Sequence, residues 1–257
     1  MVKGLYTAGL GMTTQWKRMD VVANNIANVN TTGYKKDSVA TQSFSEEFIK
    51  RLNDPGTAMF GGPVTIGKMT KGVFVDTVFT SWAPGSVRVT ENMFDLAIEG
   101  DGFFAVEVAG RNGAAEKYTR DGEFTMVSGR LLTRDGAGVL GNNGAITLPE
   151  TSSVIIDEAG NIYADGVYVN TIKIVDFTDK STLRSLHNNM FETTADSVFK
   201  DATGRIKQGA IESANVFSAI EMVDMITINR AYEANQRSIL TIDNTLNRAV
   251  NDLGNKR

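Results

Sequence analysis

A pair of helical apolar stripes, one at each end of the chain, constrains its fold more than any other feature. The C-terminal stripe alternates steps of three and four through Met225, Ile228, Tyr232, Asn235, Ile239, Ile242, Leu246, Ala249 and Leu253. The N-terminal stripe does the same through Leu5, Gly9, Met12, Trp16, Met19, Ala23 and Ile26. This spacing holds one stripe on one face of a slightly underwound helix, as in a coiled-coil seam. Since neither helix has a helical neighbour in sequence, we expect the two to pair.

The ends of both helices are also readable from local chemistry. Ser218 followed by Glu221 forms a capping box, so we predict a helix over 218–253. The first helix is predicted from Leu5 to Asn28, where short polar side chains compete for the backbone and Gly33 permits a left-handed turn. The alternative is that both stripes belong to ordinary amphipathic helices on a core. Trp16, within the N-terminal stripe, is either a core residue or a direct anchor between subunits.

The chain between the helices reads as β structure. Alternating or β-branched runs occur at 103–108, 154–156, 161–163 and 167–177, and Asp-Gly dipeptides recur at 101, 121, 135 and 165. We predict a compact, mostly antiparallel β domain over 85–195. The stretch 44–84 reads as an extended linker with one strand near 73–79. The predicted fold class is therefore α+β, with a discontinuous inner domain of 1–84 and 196–257.

Several kinds of chemistry are excluded or unsupported by the composition. The chain has no cysteine and a single histidine, His187, so thiol nucleophiles, His-based triads and multi-histidine metal sites are absent. No Gly-rich phosphate loop or EF-hand pattern occurs. A net charge of −4 without a basic block gives nucleic-acid binding no support. The sequence leaves open a pair of carboxylates for glycoside hydrolysis, but it favours no particular pair of acidic residues. We predict no enzyme activity, no cofactor, no metal site and no small-molecule substrate.

Asparagine-rich residues at the end of the first helix carry a family resemblance. Asn24-Asn25-Ile26-Ala27-Asn28, followed by Thr32-Gly33-Tyr34-Lys35, resembles the N-terminal signature of the bacterial flagellar rod and hook family. Three further segments agree in order: Ile98 to Phe104, Tyr118 to Phe124, and Glu212 to Val216 continued by Met222 to Glu233. The resemblance covers nearly the whole chain. The length favours the distal rod protein or its neighbour on the proximal side.

This resemblance implies a structural subunit of the flagellar basal-body rod. Such a subunit assembles helically through its terminal helices and forms the shaft that transmits torque to the hook. Its partners would be copies of itself, other rod subunits, the hook protein and the flagellar export apparatus. The off-stripe residues Leu10, Val22, Val223, Ile226 and Leu240 could face neighbouring subunits. Of the motif residues Asn24, Asn25, Asn28, Thr32, Gly33 and Tyr34, the three asparagines either end the helix or hydrogen-bond across subunits.

The expected location is outside the cytoplasmic membrane, in the basal body. Met1 to Asn30 lacks the run of about 7–15 apolar residues that a cleavable secretory signal needs. We therefore expect export by the flagellar type III route without cleavage. The competing hypothesis is a secreted β-domain binding module on a helical stalk. Assembly of the purified protein, against a stable monomer, would discriminate the two.

Overall fold

The computed structural model describes residues 2–51, 64–110, 113–149, 153–186 and 188–254. His187 and residues 52–63 of the predicted linker lie outside them. The described chain forms two compact units, each discontinuous in sequence. One unit comprises 1–26, 37–79 and 218–257, and the other comprises 27–36 and 80–217. Helices at both ends and central antiparallel sheets confirm the α+β class.

The first unit contains both long helices. Helix α1 runs Val2–Ala27 and helix α2 runs Ser218–Gly254, within three residues of the predicted bounds. The strand predicted near 73–79 is confirmed, but the predicted linker also contains two strands that the sequence did not indicate, since its Gly and Thr content resembled a loop. The strands of this unit are β1 (Asp37–Ser43), β2 (Glu47–Arg51), β3 (Val64–Met69) and β4 (Val73–Thr80). β1 pairs with β4, and β2 pairs antiparallel with β3. Within the described part of the chain, no helix combines the length and hydropathy that a membrane span requires.

The second unit is built from short antiparallel strands. Its first strands are β5 (Val87–Val89), β6 (Leu96–Glu99), β7 (Phe103–Gly110), β8 (Gly113–Thr119), β9 (Phe124–Val127), β10 (Arg130–Thr133), β11 (Gly138–Gly141) and β12 (Gly144–Ala145). They are followed by β13 (Val154–Ile156), β14 (Asn161–Ala164), β15 (Val167–Thr171), β16 (Ile174–Phe177), β17 (Arg184–Ser185), β18 (Met190–Glu192), β19 (Phe199–Asp201), β20 (Arg205–Gln208) and β21 (Ala210–Glu212). The long run 167–177 is two strands in different sheets, not one.

Strand β7 organises the core of this unit, because both of its faces are covered. Phe104 packs in a cluster with Phe124, and the two rings meet edge to face. Phe103, on the opposite face, packs with Phe177 and Phe191 in a second cluster. β7 pairs with β8 along its whole length, while β16 and β11 share its other edge. A strand buried on both faces carries apolar residues in succession, which accounts for the continuous run at 103–106.

The unit boundaries differ from the predicted ones at 84 and 195. Strands β20 and β21 pair with β6 and β5, so the segment 205–212 belongs to the β unit. Residues 27–36 join the same unit through hydrogen bonds such as that from the Gly33 amide to the Glu212 carbonyl, at 2.8 Å. These pairings join residues more than a hundred positions apart, and no local pattern signals them.

Candidate functional site

Helix α2 carries the predicted seam as a continuous, partly or fully buried stripe. Ile228 is buried, and Met225, Tyr232, Asn235, Ile239, Ile242, Leu246 and Ala249 are half-buried. Glu221 extends the same spacing one step earlier and is 1% exposed. Side chains off the stripe stay open, and Ile220, Met222, Val223, Ile226, Leu240 and Val250 are each more than half exposed. One helix therefore presents a covered stripe and an uncovered apolar surface.

Helix α1 faces its neighbours with different residues from those predicted. Leu5, Trp16 and Ala23 are exposed, whereas Met12, Met19 and Ile26 are half-buried. Gly4, Gly11 and Asn25 are among the described residues that approach α2. A second face approaches the start of β4, where the Thr14 hydroxyl donates to the Val73 carbonyl at 3.0 Å. Gly4, Gly11 and Asn25 each lie one position before a residue of the predicted stripe.

Three contacts relate the two helices. A β-carbon at Gly4 would lie 3.4 Å from Ile242 Cδ1, and one at Gly11 would lie 3.0 Å from Asn235 Nδ2. Near the other end of α1, Asn25 Nδ2 donates to Glu221 Oε2 at 3.3 Å. As the residue numbers of these contacts increase along α1, they decrease along α2, so the two helices are antiparallel.

The asparagine motif has a structural role at Asn25. Its side chain is fully buried and bonds the backbone of Asp37 twice, donating to the carbonyl at 2.9 Å and accepting from the amide at 3.1 Å. A neutral amide suits this position because it donates and accepts at once. Asn24 is exposed and Asn28 half-buried, and Asn28 Oδ1 accepts from the Thr31 hydroxyl. The Asn25 side chain is therefore buried rather than solvated and bonds within its own chain.

A buried cluster in the β unit, which we call the motif junction, contains Thr32, Gly33 and Lys35 of the motif together with Arg120, Asp121 and Glu212. Lys35 Nζ lies 2.7 Å from Glu212 Oε1, and Arg120 lies 3.2 Å from Glu212 Oε2. All three charged side chains are at most 4% exposed. Burial lowers the pKa of Lys35, and the Glu212 carboxylate opposes that shift. Such a pair stabilises the fold only when the remaining polar atoms are also bonded.

Backbone groups supply most of those remaining bonds. Lys35 Nζ also donates to the Ala83 carbonyl at 3.0 Å, and Arg120 donates to the Gly100 carbonyl at 2.8 Å. The Gly85 amide donates to Glu212 Oε1 at 2.8 Å. The guanidinium of Arg120 also lies over the Phe103 ring, 5.4 Å from its centroid. The cluster therefore ties five separate stretches of the β unit together.

Gly33 and Asp121 complete the junction. Gly33 has φ of +66°, and a β-carbon there would overlap the peptide bond between Arg120 and Asp121. The Thr32 hydroxyl donates to Asp121 Oδ1. Burial raises the pKa of Asp121, and the bond from Thr32 counters it. Tyr34, also named in the motif, is half-buried, and its carbonyl accepts from the Asn215 amide.

The sequence pattern did not identify the roles of Lys35, Arg120 and Glu212. All three stand inside the family segments, which also contain Glu99, Asp101, Asp121 and Glu123, so charge alone did not single them out. As for other chemistry, no group of three or more metal-ligating side chains occurs among the residues that the structure describes.

Comparison with known proteins adds to this geometry. A flagellar basal-body rod protein of Borreliella burgdorferi, FlgG, is 35% identical over 98% of this chain and 98% of its own length. The chain belongs to the flagellar basal-body rod protein family. A Bacillus subtilis rod protein FlgG is 31% identical over 98% of this chain and 99% of its own. A Caulobacter vibrioides rod protein FlgF is 33% identical over 91% of each. This rod family member is a structural subunit of the basal-body rod.

Three family models match separate segments of the rod subunit. The flagella basal body rod protein model covers 5–35, the flagellar hook protein FlgE/F/G D1 domain model covers 97–164, and the flagellar basal body rod FlgEFG protein C-terminal model covers 207–253. Each matched segment contributes to the motif junction: Lys35 from the first, Arg120 from the second and Glu212 from the third. The family signature thus coincides with a single buried ionic cluster.

Proposed function

We propose that this subunit builds the rod by helical self-assembly through its paired terminal helices. The observation that carries the proposal is the two-sided character of α2. Its heptad stripe is covered, while Met222, Val223, Ile226 and Leu240 lie exposed along a helix of 37 residues. An apolar surface of this kind in an isolated chain marks an interaction surface. Neighbouring copies would cover it in the assembled rod.

Exposed residues of α1 fit the same role. Tyr6 is 71% and Trp16 53% exposed, and aromatic side chains supply large contact area at interfaces. Of the two roles weighed for Trp16, its exposure favours the anchor between subunits. Leu5 and Ala23 would be covered by neighbours rather than by α2. The seam residues proposed to join the helices are then Met12, Met19 and Ile26 with Met225, Ile228, Tyr232, Ile239, Ile242 and Leu246. The side chain of Leu253, also in the predicted seam, lies outside the described part of the structure.

The partners follow from the family and from the proposed assembly. They are copies of this chain, other rod subunits and the hook protein, with the flagellar export apparatus acting before assembly. The subunit would lie outside the cytoplasmic membrane, reach that place without signal cleavage, and transmit torque without catalysing a reaction. Family membership favours this proposal over a secreted binding module on a helical stalk.

The proposed assembly is tested by placing a charged side chain in the covered stripe of α2. Ile239→Asp would put a carboxylate against apolar side chains without a partner, and such burial is costly enough to break the contact. We expect non-motile cells and purified basal bodies that lack the variant subunit. The β unit should stay folded, because its core clusters contain no residue of α2.

The matched control is Arg237→Asp, two residues away on the exposed side of the helix. Arg237 is 78% exposed and pairs only at the surface with Glu233, at 3.2 Å. Exposed pairs of this kind contribute little, so motility should be largely retained. Normal motility of Ile239→Asp cells would contradict assembly through the helix seam.

A further inference from the structure

We infer that the side chain of Asn215 anchors, on the β unit, the chain segments that connect this unit to the first one, and that this anchor carries mechanical load in the rod. The inference rests on the proposed function and assigns one residue a positioning role in it. Asn215 stands in the family segment 212–216, but its side chain is not part of the motif junction. Its carboxamide instead bonds the backbone of two other segments of the β unit.

The chain passes between the two units at four places. These crossings follow residues 26, 36, 79 and 217. Force that passes along the backbone from the first unit enters the β unit at these crossings. The bonds made by the nearest residues of the β unit therefore determine how firmly the connecting segments are attached to it.

The Asn215 side chain bonds next to two crossings and stands beside a third. Its Oδ1 accepts from the amide of Lys36, the last residue before the second crossing, at 2.6 Å. Its Nδ2 donates to the carbonyls of Ser81 at 2.9 Å and Ala83 at 3.1 Å, just after the third crossing. Asn215 itself lies two residues before Phe217, where the chain leaves the unit for α2. One side chain thus holds three connecting segments at a single point of the β unit.

An asparagine is suited to this position by its chemistry. A carboxamide carries two N–H donors and one carbonyl acceptor, and the three bonds of Asn215 match that set. Aspartate would keep the acceptor but lose both donors, and alanine would lose all three bonds. The requirement for donors and an acceptor on one short side chain distinguishes Asn215 from a residue that merely fills space.

Other bonds keep the β unit folded when this side chain is removed. The Ser81 amide donates to the Lys36 carbonyl at 2.8 Å, and the Gly33 amide donates to the Glu212 carbonyl at 2.8 Å. The core clusters contain neither Asn215 nor any residue that its side chain bonds. Loss of the side chain should therefore loosen the connecting segments without unfolding the unit, so the role of Asn215 can be tested in the full-length protein.

Amide hydrogen exchange of the full-length subunit tests the anchor. For Asn215→Ala we expect exchange at Lys36 and Ser81 to become about tenfold faster or more, because local opening needs fewer bonds to break. Asn215→Asp keeps the acceptor for Lys36, so exchange at Ser81 should rise more than exchange at Lys36. The matched control is Asn170→Ala: Asn170 is 5% exposed and accepts from the Thr171 amide at 2.8 Å, away from the crossings. This control should change exchange at Lys36 and Ser81 by less than about twofold.

Controlled shear tests the load in cells that carry the variant as their only copy of this subunit. Flagella that remain attached are counted after each step of shear, and electron microscopy locates the break. Before shear, Asn215→Ala cells should have as many flagella as unmodified cells, because the helices that assemble the rod are unchanged. At a shear that removes half of the flagella from unmodified cells, Asn215→Ala cells should retain about threefold fewer, with the breaks in the rod, because resistance to force depends on the rate of opening. Asn170→Ala cells should match the unmodified ones.

The possible results separate the steps of the inference. Unchanged exchange at Lys36 and Ser81 in both Asn215 variants overturns the anchor, and so does an Asn215→Ala protein that fails to fold. Faster exchange together with the shear resistance of Asn170→Ala cells overturns the mechanical role. A folded Asn215→Ala protein that forms no rods shows a need during assembly and also overturns that role. None of these results contradicts the proposed assembly, which is contradicted by normal motility of Ile239→Asp cells.

Discussion

The motif junction and the terminal helices distribute polar and apolar groups in opposite ways. The junction buries three charges and bonds them within the chain, so that Lys35, Arg120 and Glu212 are each at most 4% exposed. The helices instead leave large apolar side chains such as Val223 and Leu240 more than half exposed. Buried charges that are bonded within the chain stabilise its fold, whereas an exposed apolar surface is available for contact with another chain. The junction thus serves the fold of the β unit, and the exposed side chains of α2 support the proposed assembly.

Removing the central carboxylate of the junction should give the largest effect. Glu212→Ala leaves Lys35 and Arg120 buried without their counter-charge, and we expect the free energy of unfolding of the β unit to fall by about 3–5 kcal/mol. The chain has two tryptophans, Trp16 among the helices and Trp82 in the β unit. With Trp16→Phe as background, the fluorescence of Trp82 during urea unfolding reports the β unit alone.

Glu99→Ala is the matched control for that variant. Glu99 pairs with Lys207 at 3.3 Å, but both side chains are about half exposed. The cost should stay below about 1 kcal/mol. A similar cost for Glu212→Ala and Glu99→Ala would contradict the structural importance of the junction.

Gly33→Ala should have the next largest effect, again confined to the β unit. The substitution combines a left-handed φ with overlap against the peptide bond between Arg120 and Asp121. Strain of this kind costs about 1–3 kcal/mol before the overlap is counted. Gly136→Ala separates the two causes, because Gly136 has φ of +83° and open space around it. Equal losses of stability for both variants would show that the close approach at Gly33 is unimportant.

A smaller effect, of opposite sign, is expected in the helices. Gly9→Ala should stabilise α1 by about 0.5–1 kcal/mol, because Gly9 has no neighbour near its missing β-carbon. Gly11→Ala should gain less, since its β-carbon would lie 3.0 Å from the Asn235 amide. Thermal unfolding followed by circular dichroism at 222 nm, together with Trp16 fluorescence, measures both. A larger gain for Gly11→Ala than for Gly9→Ala would contradict the close helix approach.

The smallest effect concerns the pH dependence of the junction. Burial raises the pKa of Asp121 above its ordinary value of 3.8, so between 3.8 and the folded value the native state binds more protons than the unfolded state. The free energy of unfolding should therefore fall as pH rises through that window. Asp121→Asn should remove this slope in urea titrations of the Trp82 signal. Thr32→Val, which removes the hydroxyl that lowers the pKa, should widen the window, and a narrower one would contradict the assignment.

Local sequence patterns predicted an element well where one local feature, such as a capping residue or a heptad repeat, determines it. The capping residues and heptad spacing placed α2 within one residue of its observed end at Gly254. The Asp-Gly dipeptides at 135 and 165 are turns with left-handed glycines. The dipeptide at Asp121-Gly122 is different: a β-carbon at Gly122 would overlap the Leu96 carbonyl oxygen, so this glycine permits a close approach of two strands. The dipeptide alone does not distinguish these uses.

The sequence by itself determined the two long helices, the α+β class and the family, because periodicity, capping and signature motifs are properties of neighbouring residues. Only the tertiary structure decided which face of α1 meets α2, since that helix also contacts β4 through Thr14. Only the tertiary structure brought Lys35, Arg120 and Glu212 together from positions up to 177 residues apart. Ion pairs of this kind form only where long-range strand pairing brings the residues together. Their spacing along the chain therefore does not predict them.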